Sequence, residues 1–218
     1  MINFLTLKDS LGNLLQGAAL SLEIMVLAFI IGIVGGTLLS LMLLYGGRAM
    51  NVIAHTYVTI FRGTPMLVQL VALFFVFPYI GIVIPAFWSA VIAIGMNSAA
   101  YVSQIIRAGI QAVGKGQIEA AKTLGLSHNQ ITRFIVLPQA VRTVFPSLGN
   151  ECITLIKDSS LASVIGVAEL SHQGSIIMSR TYDALTAYAG VAVIYLIMTS
   201  CASLLLHIVE RRMHYVKN

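Results

Sequence analysis

Asp158, Asn97, Ser98, Tyr101, Met66 and Gln69 are the residues whose types and spacing suit the binding of a small polar solute. Asp158 closes a largely apolar stretch, where a carboxylate is costly unless it is paired or wetted. It therefore suits an ammonium group; the competing reading is a salt bridge or helix-end contact, with Lys157 or with a neighbouring subunit. Asn97, Ser98 and Tyr101 lie within about one helical turn, with Ser98 and Tyr101 on neighbouring positions of one face. They offer donors and acceptors to a carboxylate or an amide. Met66 and Gln69 follow Arg62-Gly63-Thr64-Pro65, where the proline lacks an N–H for the preceding turn and the glycine loosens the backbone. A broken helix at membrane depth marks a solute pathway, although a plain kink below a snorkelling Arg62 has the same sequence. Glu151 reads as a hydrogen-bonding group internal to a helix bundle rather than as a ligand.

Other chemistries find no support. No Ser–His, His–Glu or paired-Asp arrangement recurs at one depth, and His55, His128, His172, His207 and His214 lack metal-ligand spacing. Cys152 and Cys201 fall in apolar stretches and read as small packing residues. Gly109 to Lys115 fits the first seven places of a phosphate-binding loop, but Gly116 stands where a hydroxyl must hold Mg²⁺, and no strand precedes it. The chain is expected to bind neither ATP nor any other cofactor itself.

The elements that must position these residues are membrane helices. Of the 218 residues, 58% are hydrophobic and 10% charged, against about 25% charged in soluble domains. Uncharged runs cover 24–44, 63–106 and 184–209. The middle run is long enough for two helices of roughly 20 residues, with a turn at Pro78-Tyr79-Ile80-Gly81. A weaker span near 138–157 contains Arg142 and Glu151. The expected fold is all-α, a single membrane domain over 1–218 with five transmembrane helices near 14–44, 52–78, 86–110, 138–157 and 184–210. The first apolar segment is too long for a cleavable signal peptide. Of the 13 basic residues, Arg48, Arg62, Arg107, Lys115, Lys122, Arg133, Arg142, Arg211, Arg212 and Lys217 fall on one face. That face is cytoplasmic, which places the N-terminus outside and the C-terminus inside. The net charge of +5 is then a topology signal rather than a nucleic-acid one. Gly32 and Gly36 form a small-xxx-small pair suited to close helix contact. Outside, 161–167 is apolar but too short to span, and reads as a re-entrant or surface helix.

The polar interlude at 119–138 carries the strongest pattern. Glu119 to Leu124 forms a short helix, Gly125 ends it, and Ser127 with Gln130 makes a capping box that opens a second helix. Ala120 and Ala121 leave the first helix thin, so that another protein can approach it closely. A DNA-reading helix-turn-helix is excluded by the membrane tether at both ends.

Glu119-Ala120-Ala121, Gly125, Ile135 and Leu137-Pro138 resemble, spacing included, the EAA signature of permeases from binding-protein-dependent ABC importers. Arg62-Gly63-Thr64-Pro65, Asn97-Ser98-Ala99-Ala100-Tyr101 and 156–161 look like the polar amino acid branch of that family, with Ala99 where many relatives have glycine. The stretch 166–174 is similar to glutamine-type members. The resemblance implies a permease subunit in the cytoplasmic membrane whose segment 116–137 couples to two ATPase subunits through Glu119, Ala120, Ala121 and Gly125. ATP and Mg²⁺ would be bound by those partners. It also implies a second permease subunit, identical or homologous, and an extracytoplasmic binding protein that delivers glutamine, arginine, histidine or a similar amino acid. Asp158 would then meet the α-ammonium or a cationic side chain. The rival is a self-contained ion-coupled transporter or channel, which would want more intramembrane charge and more spans.

Overall fold

The computed structural model describes residues 4–215, with side chains from 5 to 212, and among these every regular element is helical. Helix α1 (Phe4–Tyr45) is followed by α2 (Arg48–Gly63) and α3 (Met66–Val71), the last extended by a π turn and a 3₁₀ turn to Ile80. Next come α4 (Ala86–Gln111), α5 (Lys115–Thr123), α6 (His128–Ile131) and α7 (Leu137–Asp158). A 3₁₀ segment (Ser159–Ile165), α8 (Leu170–Thr181) and α9 (Ala184–Tyr215) complete the chain. Three helices, α1, α4 and α9, are long and apolar enough to cross a membrane. The pair α2–α3, bent by 104°, makes up to four if it counts as one span.

Helix α4 is the axis of the bundle. Its buried residues are mostly small, among them Ala90, Ala93, Gly95, Ala99, Ala100 and Ser103, so neighbouring backbones approach closely. Without a hydrophobic drive between helices in lipid, this contact supplies van der Waals attraction. A Cβ on Gly32 would lie 2.6 Å from Ser98 Oγ, and one on Gly36 would lie 2.6 Å from the Val102 side chain. The glycine pair therefore serves contact between α1 and α4 within the chain. Ile24, Ala28, Leu70, Ile94, Leu155, Ile156 and Ala162 form the core where α1, α3, α4, α7 and the 3₁₀ segment meet. Helix α9 lies at the periphery, with Leu196, Leu204 and Leu205 exposed.

The expected second span is sharply divided. Thr64 and Pro65 adopt extended backbone, the conformation that proline imposes on its predecessor. Within 161–167, a 3₁₀ helix over Ser159–Ile165 buries Ala162 and Ile165 against the bundle and ends at Gly166. Beyond it stands α8, which the sequence pattern did not announce. Its N-cap is Glu169, fully buried, whose carboxylate accepts from the Ser171 and His172 N–H groups, the Ser21 hydroxyl and the Tyr195 hydroxyl. That residue fastens α8 to both α1 and α9.

Candidate functional site

The helix break forms one wall of a cavity of about 540 Å³. Arg62, Gly63, Thr64, Pro65 and Met66 line this wall; α4 contributes Asn97 and Tyr101, and α7 contributes Glu151, Thr154 and Asp158. The α7 residues follow from helical geometry. Positions three and seven residues beyond Glu151 return to nearly the same face, so the two carboxylates stand about 10 Å apart along one stripe.

The wall is held by hydrogen bonds that replace the lost helical ladder. In an unbroken helix the residue at 65 would donate to Phe61 O, which proline cannot do. Gln69 Nε2 and Asn97 Nδ2 donate to that carbonyl instead, each at 3.0 Å. The Thr64 hydroxyl donates to Ile60 O at 2.8 Å and accepts from Gln69 Nε2 at 2.7 Å. Gln69 Nε2 also reaches Thr64 O at 3.1 Å, and Asn97 Nδ2 reaches Gln69 Oε1 at 3.0 Å.

Of the six residues expected to meet a solute, Asp158, Asn97, Tyr101 and Met66 line the cavity. Ser98 and Gln69 do not. Ser98 is buried and donates to Glu151 Oε1 at 2.7 Å, so it orients a carboxylate. Glu151, read from the sequence as a hydrogen-bonding group inside the bundle, makes that bond to Ser98 and also lines the cavity, seven residues before Asp158 on the same helix. The Arg62 guanidinium lies over the Tyr101 ring, 5.3 Å from its centroid. Among the described residues Arg62 pairs with neither carboxylate, and Asp158 forms no contact ion pair with Lys157. One cavity thus presents a guanidinium and two carboxylates that do not neutralise one another, the complement of a small zwitterion with a polar or cationic side chain. On the Tyr101 side, Arg62 and Tyr101 also border a second cavity of about 510 Å³ lined by Gln104, Thr143 and Ser147.

At the far end of α4, α5 and α6 fold around Val113, Ala121, Ile131 and Val136. Gly125 has φ +79°, and both hydrogen bonds of the Ser127–Gln130 capping box are present. Glu119, Ala120 and Gly125 are exposed, whereas Ala121 is buried in the segment's own core. The thin surface expected of two alanines is therefore made by Ala120, with Leu124 beside it 81% exposed. Gln139 Nε2 donates to Gln117 Oε1 at 2.7 Å and ties α5 to the start of α7.

Residues 28–215 match the family described as binding-protein-dependent transport system inner membrane component. The glutamine transport system permease protein GlnP of Escherichia coli K12 is 41% identical over 202 residues, covering 92% of each chain. The arginine transport system permease protein ArtQ of Bacillus subtilis strain 168 is 39% identical over 201 residues, again 92% of each. Among solved structures, an amino acid ABC transporter crystallised with histidines aligns at TM-score 0.93 and 40% identity, covering 97% of this chain and 99% of that one. The MetNI methionine ABC transporter, in an inward-facing conformation, shares the fold at TM-score 0.75 and 22% identity, covering 93% and 97%.

Proposed function

The chain belongs to the family of binding-protein-dependent transport system inner membrane components, and from that premise we propose that it moves polar amino acids through the cavity at the α2–α3 break. It is a permease subunit of an ATP-driven importer, not an enzyme, and the relatives favour this reading over an ion-coupled transporter. The single observation that carries the substrate class is the cavity that holds Arg62 opposite Glu151 and Asp158. A guanidinium suits an α-carboxylate. Two carboxylates suit an α-ammonium together with a polar or cationic side chain, which fits glutamine, arginine and histidine.

In this reading five segments cross the cytoplasmic membrane: α1, the bent pair α2–α3, α4, α7 and α9. Helix α7 packs against α4 and α9; Glu151 and Asp158 face the cavity, while Arg142 and Lys157 lie exposed near its two ends. The N-terminus lies outside and the α5–α6 segment in the cytoplasm. There Glu119, Ala120 and Gly125 form the docking surface for an ATPase subunit, while Ala121 supports it from within. Two such ATPases, binding ATP and Mg²⁺, drive a pair of permease subunits, and an extracytoplasmic binding protein supplies the amino acid. ATP-driven closure displaces α5, which follows directly from α4, so the cavity wall that α4 provides moves with it. The amino acid biases the cycle only through its unequal affinity for the two states.

Reconstitution of the chain with its ATPase and binding protein in proteoliposomes tests the reading. Glutamine, arginine or histidine should accelerate ATP turnover and accumulate inside. Uptake that persists without ATP, or without the ATPase subunit, would refute it.

A further inference from the structure

We infer that Gln69 and Asn97 form a carboxamide clasp, acting as positioning residues that fix the α2–α3 break and transmit movement of α4 to the cavity wall. Their amide nitrogens are committed to protein oxygens: Gln69 Nε2 to Phe61 O, Thr64 O and Thr64 Oγ1, and Asn97 Nδ2 to Phe61 O and Gln69 Oε1. Three facts give the clasp its role. Phe61 O is the carbonyl that Pro65 leaves without a helical donor, and a part-buried carbonyl at this depth is costly to leave unpaired. The clasp is the point where α3, through Gln69, and α4, through Asn97, grip the end of α2. Residues 62–66 of the wall lie between the two grips and carry no side-chain hydrogen bond to α7 among the described residues.

The consequence is mechanical. Helix α4 continues unbroken from Asn97 to its end at Gln111 and leads into α5 at Lys115, so its displacement reaches Asn97 through rigid helix. Asn97 pulls on Phe61 O and on Gln69 together. The break must then move as one piece with α4, carrying Arg62 relative to Glu151 and Asp158 on α7. Tyr57, whose hydroxyl donates to Met96 O at 2.9 Å, fastens α2 to α4 one turn earlier and keeps the clasp in register.

Two experiments test the clasp, and the first does not depend on the transport reading. Val58 is 7% exposed on α2, one turn before Phe61, so Val58→Cys can report on opening of the break in a Cys152→Ser, Cys201→Ser background. In detergent, Gln69→Leu and Asn97→Leu should each raise its labelling rate by a water-soluble maleimide about tenfold. The double variant should be no faster than the faster single. The exchanged pair Gln69→Asn with Asn97→Gln keeps both carboxamides and their summed reach, and should return to within about twofold of the parent. The second experiment rests on the proposed function and uses the complex reconstituted with its ATPase and binding protein, with radiolabelled glutamine and arginine as probes. Each leucine variant should hydrolyse about tenfold more ATP per amino acid imported, and the exchange should restore the parental ratio.

Labelling rates that are unaffected by either single change, or an exchange variant as fast as the singles, would overturn the clasp whatever the wild type transports. So would single effects that multiply in the double variant, or a coupling defect confined to Asn97, which would mark that residue as a separate ligand. A wild-type complex that imports nothing would remove the transport reading and leave the labelling test standing.

Discussion

Glu151 and Asp158 share a face of α7 but not an environment. Glu151 is fixed by the Ser98 hydroxyl at 2.7 Å, whereas Asp158 lies at the last turn beside the 3₁₀ segment. The oriented carboxylate suits the fixed part of an amino acid and the terminal one suits a side chain that varies. Hydrogen bonds to charged groups contribute about 1.5–3 kcal/mol, so Asp158→Asn should cut arginine uptake about 10- to 100-fold, and glutamine uptake less. Binding of the ATPase subunit, followed by co-purification, should survive. Equal losses for both amino acids would place Asp158 at the α-ammonium instead. Ser98→Ala removes a donor from the Glu151 carboxylate, worth about 1.5–3 kcal/mol, and should lower uptake of both amino acids about 10-fold or more. At this scale the sequence located the neighbourhood better than the contacts. Asp158, Asn97, Tyr101 and Met66 line the cavity. Ser98 and Gln69 have equally suitable chemistry, yet serve protein partners, because spacing along one helix cannot say what the facing helix demands. Glu151 reads from sequence as a hydrogen-bonding group inside the bundle, which its bond to Ser98 matches; that it also lines the cavity depends on which way α7 faces.

The α5–α6 segment is the element most fully legible in the sequence. Its turn needs a residue at φ +79°, which glycine adopts without strain, and Ser127 with Gln130 closes the next helix start as a capping box should. What the pattern could not give is the rotation of α5 about its axis, which turns Ala121 inward and leaves Ala120 and Leu124 outward. Glu119→Lys and Leu124→Glu should both weaken co-purification of the ATPase subunit while leaving thermal stability within about 1 kcal/mol, the usual range for exposed positions. Gly36→Leu should do the opposite. It would drive a side chain into Val102, cost about 1–3 kcal/mol by overpacking, and lower the Tm of the isolated chain in detergent. Helix α8 escaped notice because Glu169 caps it. Glutamate is not among the preferred N-cap residues, and its partners Ser21 and Tyr195 lie 148 and 26 residues away. At the start of α9, Asp183 behaves as a conventional cap. The Thr186 hydroxyl and N–H hold its carboxyl below the ordinary range. Its share of stability is therefore present above the ordinary aspartate value and lost as pH falls through the lowered one.

For the whole molecule the open quantity is the number of crossings, and it turns on the 104° break between α2 and α3. Composition counts residues and charges along the chain, and a long uncharged run looks the same whether it crosses straight or folds back. If the bent pair crosses, and α7 crosses with it, five segments span. The α8 side of the molecule then lies opposite the α5–α6 side, with the basic residues gathered on the latter. If the pair re-enters instead, Tyr79 falls on the same side as the α1–α2 connection. Every later segment then inverts, and Arg107, Lys115, Lys122 and Arg133 move to the outer face. Positive-inside bias argues for the crossing, because Lys115, Lys122 and Arg133 fall between α4 and α7, with Arg107 near the end of α4. Single cysteines at exposed Tyr79, Lys122 and Tyr182, in a Cys152→Ser, Cys201→Ser background, decide the matter in intact cells. A membrane-impermeant maleimide should label the cysteines at 79 and 182 directly, and the one at 122 only after permeabilisation. Labelling at 122 without permeabilisation would place the docking surface beyond the reach of a cytoplasmic ATPase, and the importer reading would fail with the topology.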